Sequence, residues 1–396
     1  MSGHRVSETV LVAHPGAELY GSDRVLLESV SALIDDGWRV VVAVPTQGPL
    51  LDELRERGAT VVACMSPVLR KSALRPRGML RLIRDTTRGV HDGTRLLARE
   101  RPSVVYVNTT TIPLWLVLAR LRGIPVLCHV HEGEASASRL TRAVLTLPLF
   151  LAHAIVANSK FSVSVLERSF QRLGQRTKVV YNAVSGPPSR QPARRKLDGG
   201  VHLTYIGRLS PRKGVDVAID ALAVLADRGV SADLDVVGAV FPGYEWYEKQ
   251  LRDQVKEKKL ERHVRFHGFQ SSVWDVVNAG DVVVVPSRVD EPFGNTAVEG
   301  ILSGRPVLAS ATSGLLEATA GYASARTVAP GSAIALADAV QSTIEGWDVR
   351  AVAADDDALT AEARHNSTRY RVRIAEIVRA ASSNARSTGE GAMAGH

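Results

Sequence analysis

The sequence has few cysteines and no long uninterrupted apolar run. Its 396 residues include two cysteines, Cys64 and Cys128, each inside a short valine-rich stretch, which excludes a disulfide framework and a cysteine-based metal cluster. The longest apolar stretch, 143–157, is interrupted by Pro148 and His153 and is shorter than the roughly 20 residues that cross a bilayer. It predicts a helix leading into a buried strand. No apolar segment typical of a signal peptide stands near the N-terminus, so we expect a cytoplasmic protein.

Two common nucleotide-binding motifs are also missing. The segment Gly16–Asp23 (GAELYGSD) has the Gly16 and Gly21 spacing of a Walker A loop, followed by Ser22, but it lacks the lysine and does not match G-x-G-x-x-G. These absences weigh against an ATPase and against an NAD-dependent dehydrogenase. What remains is a glycine-containing turn before a helix predicted at 24–33. It either serves as a structural turn or presents backbone N–H groups to a phosphate.

Short valine-rich runs alternate with amphipathic stretches along the whole chain, and this alternation is typical of parallel strands joined by crossover helices. The sequence therefore predicts two tandem Rossmann-like α/β domains. The predicted strands are Thr9–Ala13, Arg39–Val44, Thr60–Ala63, Ser103–Val107, Pro125–Cys128, Ala154–Ala157 and Lys178–Tyr181, then Val201–Ile206, Leu234–Val237, Val264–Phe266, Val282–Val285, Pro306–Ala309 and Ala325–Val328.

The segment 186–200 interrupts the pattern with three prolines and three glycines, a composition typical of an exposed linker. We therefore predict an N-terminal domain over 1–185 and a C-terminal domain over 201–365. A helix over 366–381 is expected to complete the N-terminal domain. The small polar residues 382–396 predict a disordered tail.

Positive charge is in excess and is concentrated in one segment. Lys plus Arg outnumber Asp plus Glu by 49 to 41, and segment 70–101 holds ten basic residues against three acidic ones. A solvated helical face would account for this charge. Apolar residues interleave with the arginines, which favours an anionic membrane surface. No nucleic-acid-binding motif accompanies the charge, so a nucleic-acid partner is not expected. The apolar residues are Met79, Leu80, Leu82 and Ile83.

A basic loop follows the first strand of the second domain. The segment Gly207–Gly214 (GRLSPRKG) places Arg208, Arg212 and Lys213 at the carboxyl end of a parallel strand, where ligands of such sheets bind. A solvated loop would tolerate the same residues. Three cations within six residues are nevertheless better suited to holding a diphosphate.

Two glutamates stand in the segment 291–299 (EPFGNTAVE) after the strand Val282–Val285. Asn295 or Thr296 is predicted to cap a helix that runs through Leu302. Glu291 would then lie just before this helix and Glu299 on its first turns. Two carboxylates beside the free N–H groups of a helix start suit a ligand that carries both hydroxyl groups and phosphate.

The spacing of these two segments resembles the retaining glycosyltransferases of family 4, which have the GT-B fold. Glu291 and Glu299 are separated by seven residues, and the GRLSPRKG loop precedes them at the distance typical of that family. The similarity covers the chain from Val10 to about Ala380. It implies two Rossmann-like domains facing across a cleft that holds the donor's diphosphate. Further matching segments are Gly21-Ser22-Asp23, Gly37-Trp38-Arg39-Val40, His131-Glu132, Asn158-Ser159 and Asn182.

The resemblance implies a role for each matching residue. Arg208 and Lys213 would stabilise the leaving diphosphate, Glu291 and His131 would contact the donor sugar, and Glu299 would hold the ribose hydroxyls. The other donor-binding positions would be Gly207, Phe293, Gly294, Asn295, Thr296, Gly21 and Ser22. The family transfers a sugar with retention of anomeric configuration, without a metal or other cofactor and without an established enzymatic nucleophile.

Several positions depart from the family pattern or compete with it. Ser22 replaces a second glycine, and Ala183 replaces the glycine that commonly follows Asn182. His129 is a rival for the role of His131, and either histidine could instead be a structural residue. The triplet Asp233-Leu234-Asp235 resembles the metal-binding D-x-D motif of the other glycosyltransferase fold, but it runs into a predicted strand and is interpreted as strand-entry polarity.

Two other functions remain as alternatives. A non-hydrolysing sugar-nucleotide epimerase has a similar two-domain fold but lacks the paired glutamates. A catalytically idle scaffold is disfavoured because the four residues of the predicted donor site, Arg208, Lys213, Glu291 and Glu299, are all retained. The base of the nucleotide, the sugar and the acceptor stay open. The acceptor could be a glycan, a lipid-linked molecule or a small molecule.

Overall fold

The computed structural model describes residues 8–69, 76–133, 135, 138–241 and 243–393, and within these it leaves the side chains of 76–78, 81 and 384–393 undescribed. The chain divides into two compact units. The first comprises Met1–Ala183 together with Ser367–His396, and the second comprises Val184–Asn366. Each unit is built around one parallel sheet.

In the described part of the first unit, a seven-stranded sheet has the order β3-β2-β1-β4-β5-β6-β7, and each pairing is parallel. Its strands are β1 (Thr9–Ala13), β2 (Arg39–Val44), β3 (Thr60–Ala63), β4 (Val104–Val107), β5 (Val126–Val130), β6 (Ala154–Ala157) and β7 (Thr177–Val179). The helices are α1 (Gly21–Asp35), α2 (Leu50–Glu56), α3 (Pro76–Glu100), α4 (Leu114–Leu121), α5 (Arg139–Thr146), α6 (Lys160–Ser169) and α7 (Gln171–Arg176).

The central strand of this sheet is buried on both faces, as a parallel sheet covered by crossover helices requires. Val10 and Val12 belong to one hydrophobic cluster, whereas Leu11 and Ala13 belong to another. Because successive side chains of a strand point to opposite faces, β1 contributes to both layers of the core. This explains why β1 is a continuous apolar run and not an alternating one.

A long C-terminal helix, α15 (Ser367–Met393), returns to the first unit and packs on α1. Tyr370 and Ile374 are buried in the first core, and the Tyr370 hydroxyl lies 2.6 Å from Oγ of Ser29. Arg371 pairs with Glu28 at 2.9 Å. The structure continues this helix through Met393, into the segment for which we expected disorder from residue 382 onwards; residues 394–396 lie outside the described part.

Among the described residues of the second unit, a six-stranded parallel sheet has the order β10-β9-β8-β11-β12-β13. Its strands are β8 (Val201–Ile206), β9 (Ala232–Val237), β10 (Val264–Gly268), β11 (Val282–Val285), β12 (Val307–Ser310) and β13 (Ala325–Val328). The helices are α8 (Val215–Asp227), α9 (Glu245–Glu257), α10 (Trp274–Ala279), α11 (Asn295–Leu302), α12 (Ser313–Thr319), α13 (Ala333–Glu345) and α14 (Trp347–Arg364).

The segment 186–200 differs from the free linker that we expected. It has no helix or strand, but it belongs to the second unit, whose boundary falls between Ala183 and Val184. Arg194 in this segment pairs with Asp281 at 2.8 Å, and its carbonyl accepts a hydrogen bond from the indole N–H of Trp347. Asp281 is buried, and a buried carboxylate requires such a partner, so the segment is tied to the body of the unit.

Candidate active site

The basic loop Gly207–Gly214 begins where β8 ends, as predicted, and leads into α8. Its last residue, Gly214, has a φ of 70°, and a Cβ atom there would lie 2.0 Å from the carbonyl oxygen of Pro286. Only glycine fits both the conformation and the space. Gly214 therefore brings the basic loop against the segment that follows β11.

That close approach joins two residues that the sequence placed in separate motifs. Nζ of Lys213 lies 2.9 Å from both carboxylate oxygens of Glu291, which is itself buried. Ser287 donates a second hydrogen bond to Glu291, with a distance of 2.8 Å. Lys213 and Glu291 thus form one charged, hydrogen-bonded group, the arrangement that a buried carboxylate needs.

Arg208 lies at the beginning of the same loop and is half-buried. Its guanidinium carbon is 4.2 Å from the centroid of the Phe241 ring, and the Tyr205 hydroxyl donates a hydrogen bond of 2.8 Å to its carbonyl oxygen. A stacked guanidinium keeps its charge while the ring restricts its position. The loop therefore holds a second, separately positioned cation beside Gly207.

Helix α11 begins at Asn295, but its cap differs from the prediction. Gly294, which has no side chain, occupies the N-cap position with a φ of 118°. The expectation that Asn295 or Thr296 would cap α11 is wrong, because both are already within the first turn. A Cβ atom at Gly294 would lie 2.6 Å from Cδ2 of Leu315, so glycine is required here as well.

The remaining residues of the two-glutamate segment have distinct environments. The Phe293 side chain is buried, and its ring packs against the ring of His365 with centroids 5.7 Å apart. Only its backbone could therefore be offered to a ligand. Glu299 lies on the second turn of α11 and is half-buried, flanked by buried Val298.

In the first unit, the predicted phosphate-binding turn is already helical. Helix α1 begins at Gly21, three residues earlier than expected, so Gly21 and Ser22 form its first turn and both are exposed. Asp23 is buried and occupies the third position of this helix. Its carboxylate accepts a hydrogen bond of 2.9 Å from the backbone N–H of Tyr20.

His131 follows directly after β5 and ends a buried series of hydrogen bonds that begins at Asp23. The carboxylate of Asp23 is 2.8 Å from Nε2 of His14, and Nδ1 of His14 is 3.1 Å from Nδ2 of Asn108. Oδ1 of Asn108 is in turn 3.0 Å from Nε2 of His131. We refer to Asp23, His14, Asn108 and His131 as the polar chain.

The environment of His131 favours its neutral form. Burial holds its pKa well below the usual value, and the neighbouring histidines His129 and His14 lower the pKa further. Its second ring nitrogen, Nδ1, is buried and has no hydrogen-bond partner among the residues that the structure describes. Glu132 fixes the backbone at this point, because its carboxylate accepts hydrogen bonds of 3.1 Å from the N–H groups of Thr110 and His131.

His129, the rival candidate, lies inside β5 and is completely buried. Its Nδ1 is 2.6 Å from the Tyr106 hydroxyl, and burial lowers its pKa to about 3. The His129 and His131 rings stack with centroids 4.0 Å apart. His129 thus supports His131 from the core, whereas His131 lies beyond the end of the strand.

Comparisons with known proteins agree with this architecture. The model described as "Glycosyltransferase Family 4" matches residues 20–185, and the model described as "Glycosyl transferases group 1" matches residues 190–356. The chain belongs to glycosyltransferase family 4. A crystal structure of Anabaena Alr3699/HepE in complex with UDP-glucose superposes with a TM-score of 0.80 at 22% identity, over 94% of this chain and 100% of that one. The chain therefore has the GT-B type of fold, and each unit is one of its two Rossmann-like domains.

Curated relatives of this family match at moderate identity. Glycogen synthase of Mycobacterium tuberculosis is 28% identical over 290 residues, which cover 69% of this chain and 64% of that protein. D-inositol 3-phosphate glycosyltransferase of Corynebacterium glutamicum is 34% identical over 164 residues, or 40% of this chain and 39% of that protein. The matched regions thus span less than two thirds of these relatives' own length.

The aspartate triplet does not form the metal motif of the other glycosyltransferase fold. Asp233 and Asp235 lie on β9, where Asp235 pairs with Arg265 at 2.9 Å and with His267 at 2.7 Å. Asp233 pairs with His263 at 2.9 Å. Partners on β10 and at the residue just before it therefore satisfy both carboxylates, in agreement with the interpretation as strand-entry polarity.

The basic segment forms most of α3, although Arg70, Lys71 and Arg75 lie outside the described residues. Near the start of α3, Met79, Leu80 and Ile83 are 45%, 72% and 56% exposed. Towards its end, Leu96 and Leu97 are buried in the core. The helix is therefore anchored at one end and presents apolar side chains to solvent at the other. In the described part of the chain, no helix combines the length and the apolar character that a membrane span needs.

The sequence analysis missed three members of the polar chain and the hydrogen bonds of Glu132. A signal existed for two of these members, because His14 and Asn108, like the predicted His131, each stand immediately after the last residue of a strand. Those strands, β1, β4 and β5, are neighbours in the sheet. Their order, which the alternation of runs does not specify, brings the three polar side chains together.

Proposed function

We propose that this chain is a retaining glycosyltransferase that moves a sugar from a nucleotide-sugar donor to a glycan, lipid-linked or small-molecule acceptor, without a metal ion. The observation that carries the proposal is the Lys213–Glu291 pair at 2.9 Å, on loops that follow two neighbouring strands of the second unit. In this pair, Lys213 is a cation that can bind a diphosphate, and Glu291 is a carboxylate that can accept hydrogen bonds from sugar hydroxyls. Arg208, on the same loop, adds a second cation.

In this proposal, the bond between the sugar and the diphosphate breaks while the acceptor oxygen bonds to the anomeric carbon, and the proton of the acceptor hydroxyl passes to the leaving diphosphate. Negative charge then develops on the leaving diphosphate. Arg208 and Lys213 stabilise that charge, and because their loop is already fixed, little reorganisation is needed as the charge forms. The Glu291 carboxylate keeps Lys213 in place and accepts hydrogen bonds from the sugar.

The other predicted residues contribute binding. Glu299 on α11 accepts hydrogen bonds from the ribose hydroxyls, which do not change during transfer. The backbone from Phe293 to Thr296, at the start of α11, offers N–H groups to the sugar and the phosphates. His131 contacts the donor sugar, and the exposed first turn of α1 at Gly21 and Ser22 approaches a phosphate.

A panel of donors tests this function. The Anabaena structure was solved with UDP-glucose, so UDP-sugars head the panel, followed by GDP-, ADP- and dTDP-sugars. One donor should raise the melting temperature and, with an acceptor, release free nucleoside diphosphate together with an α- or β-linked product that keeps the donor's configuration. Formation of an epimerised nucleotide sugar, without free nucleoside diphosphate, would identify the epimerase instead. Binding without turnover, across a range of acceptors, would identify the idle scaffold.

We also propose that the start of α3 docks the enzyme on the anionic cytoplasmic face of a membrane, where a lipid-linked acceptor would be found. The exposed Met79, Leu80 and Ile83 support this, together with the arginines that surround them in the sequence. Apolar side chains would enter the headgroup region, and the cations would attract anionic lipids.

Liposome flotation tests the docking. Binding to anionic vesicles should fall with added salt, because exposed charges are screened within about 10 Å at 0.1 M. Leu80→Glu should abolish flotation, whereas Leu359→Glu should not, since Leu359 is a comparably exposed leucine, 57% against 72%, on α14 of the second unit. Equal binding to neutral and anionic vesicles would contradict the electrostatic part of the proposal.

A further inference from the structure

The polar chain of the first unit begins at a carboxylate that has both oxygens occupied. Oδ2 of Asp23 accepts from the backbone N–H of Tyr20 at 2.9 Å, and Oδ1 is 2.8 Å from Nε2 of His14. Asp23 also lies in the first turn of α1, where the helix dipole stabilises negative charge. A carboxylate that only accepts hydrogen bonds requires the proton of His14 to be on Nε2.

The direction of each later hydrogen bond follows from this first one. Asn108 turns its amide nitrogen, which can only donate, towards Nδ1 of His14. The amide oxygen of Asn108, which can only accept, is therefore turned towards Nε2 of His131. Nε2 of His131 must then carry the proton, which leaves Nδ1 of the neutral ring as a bare acceptor.

This bare acceptor is the one ring atom of His131 whose hydrogen-bonding capacity is unused. Nδ1 is buried, and no partner for it exists among the residues described. A buried acceptor without a partner destabilises a protein unless a ligand satisfies it. Glu132 holds the His131 backbone N–H at 3.1 Å, so the ring is fixed from the backbone as well as through its side chain.

We propose that Asp23, acting through His14 and Asn108, fixes His131 in the Nε2–H tautomer, so that Nδ1 accepts a hydrogen bond from a hydroxyl of the donor sugar. Asp23, His14 and Asn108 are then positioning residues, and His131 alone touches the substrate. This inference rests on the proposed transferase function for the identity of the ligand. The tautomer itself depends only on the first unit.

Asp23→Asn is expected to reverse the whole chain. The Tyr20 N–H keeps the amide oxygen of the new side chain on its own side, so the NH2 group faces Nε2 of His14. His14 must then accept at Nε2 and carry its proton on Nδ1, and Asn108 must turn its amide over. Nε2 of His131 would become the acceptor, and the proton would move to Nδ1.

Nitrogen NMR on protein labelled with 15N-histidine, without any substrate, measures this directly, because protonated and bare ring nitrogens resonate far apart. The His131 signals are assigned by their loss in His131→Gln. The wild type should have a bare Nδ1, and Asp23→Asn should have a bare Nε2. A protonated Nδ1 in the wild type, or an unchanged tautomer in the variant, would overturn the proposal.

Asp36→Asn is the matched control. Asp36 follows the other end of α1, where it accepts a hydrogen bond of 3.0 Å from the Trp38 indole and pairs with Arg379. The substitution makes the same chemical change at the opposite end of the same helix, just after its last residue, without touching the polar chain. It should leave the His131 tautomer unchanged. A reversed tautomer in this variant would show that the hydrogen bonds of the polar chain do not determine the tautomer of His131.

Kinetics then test the contact with the sugar. For the nucleotide sugar that the wild type turns over, Asp23→Asn should lower kcat/KM at least about tenfold, because a donor replaces an acceptor at the sugar hydroxyl. Affinity for the matching nucleoside diphosphate, which has no sugar, should stay within about twofold. A reversed tautomer with unchanged kcat/KM would overturn the contact. Absence of any transfer by the wild type would refute the proposed function, while the NMR result would still decide the tautomer.

Discussion

The two units position their candidate residues by opposite means. In the second unit, oppositely charged side chains meet, with Lys213 2.9 Å from Glu291 and Arg208 stacked on an aromatic ring. In the first unit, a neutral histidine, His131, ends a series of directional hydrogen bonds, and burial holds its pKa well below the usual range. The second unit places charged side chains on glycine-containing loops. The first unit places oriented hydrogen-bonding side chains just after the ends of strands.

This difference agrees with the two parts of a nucleotide sugar. The diphosphate gains charge as it leaves, and preorganised cations stabilise a developing charge best. The sugar carries neutral hydroxyl groups. A neutral acceptor in a fixed position can orient such a group through one directional hydrogen bond. We therefore expect substitutions in the second unit to affect turnover most and those in the first unit to affect orientation and acid sensitivity.

The largest effect is expected when both cations of the basic loop are removed. The double variant Arg208→Ala, Lys213→Ala should lower kcat by at least about 1,000-fold, since loss of a single group that stabilises developing charge costs about 100- to 1,000-fold. Steady-state kinetics measure this, with circular dichroism to verify folding. Near-normal turnover would refute the assignment of the diphosphate site.

Arg212→Ala is the control for this loss of positive charge. Arg212 lies on the same loop but is exposed, and its guanidinium bonds to the carbonyl oxygen of Asp290 at 3.3 Å. It should lower kcat no more than about threefold, because an exposed cation contributes little in water. An equal loss in Arg212→Ala and in the double variant would mean that overall loop charge matters and the positions do not.

The sequence predicted the secondary-structure elements within each unit but not the contacts between side chains on different elements of the same unit. Every predicted strand is present, within about two residues at each end, because buried parallel strands leave valine-rich runs that need no tertiary information. The contact between Lys213 and Glu291 depends instead on the close approach of Gly214 to Pro286. Such an approach follows from how loops pack, and the spacing of residues along the chain does not encode it.

The cap of α11 and the polar chain were missed for related reasons. Gly294 was available as a cap, but a polar residue is the commoner choice, and the packing of Leu315 that requires glycine is a tertiary contact. His14 and Asn108 each looked like a single polar residue after a strand. They come within hydrogen-bonding distance of each other and of His131 only because β1, β4 and β5 are adjacent in the sheet.

A smaller loss, in affinity and not in turnover, is expected for Glu299→Ala. The proposed ribose contacts are equal before and during transfer, so removing them should weaken ground-state binding. A hydrogen bond to a charged group is worth about 1.5–3 kcal/mol, so affinity for the nucleoside diphosphate should fall roughly tenfold to a hundredfold. Calorimetry measures this affinity. If kcat falls while affinity is retained, Glu299 acts on the leaving group instead.

The next prediction concerns how the stability of the first unit changes with pH. Burial lowers the pKa of His129 to about 3, whereas an unfolded histidine has a pKa of about 6.5. Between these values the unfolded state binds a proton that the folded state excludes, so stability is complete above about pH 6.5 and falls by about 1.4 kcal/mol per pH unit as the pH decreases. His129→Gln should remove this contribution. Hydrogen exchange of β5 between pH 7 and 5 measures it, and an unchanged slope would contradict the assignment.

The smallest effect is expected at Asp235, in the opposite pH window. Burial raises its pKa, but hydrogen bonds from Arg265 and His267 outweigh burial and hold the pKa below the usual value. A lowered carboxylate pKa contributes stability above the unfolded value of about 3.9, and the contribution is lost as the pH falls through the folded value. Asp235→Asn should therefore destabilise the second unit by about 1 kcal/mol at pH 7 and by progressively less below about pH 4. Hydrogen exchange of β9 measures the difference.

The control is Asp233→Asn, at the more exposed neighbour on the same strand. It should lower the free energy of unfolding by no more than about 0.5 kcal/mol. If the effect of Asp235→Asn instead stays constant below about pH 4, the Asp235 carboxylate is not the source of this pH dependence.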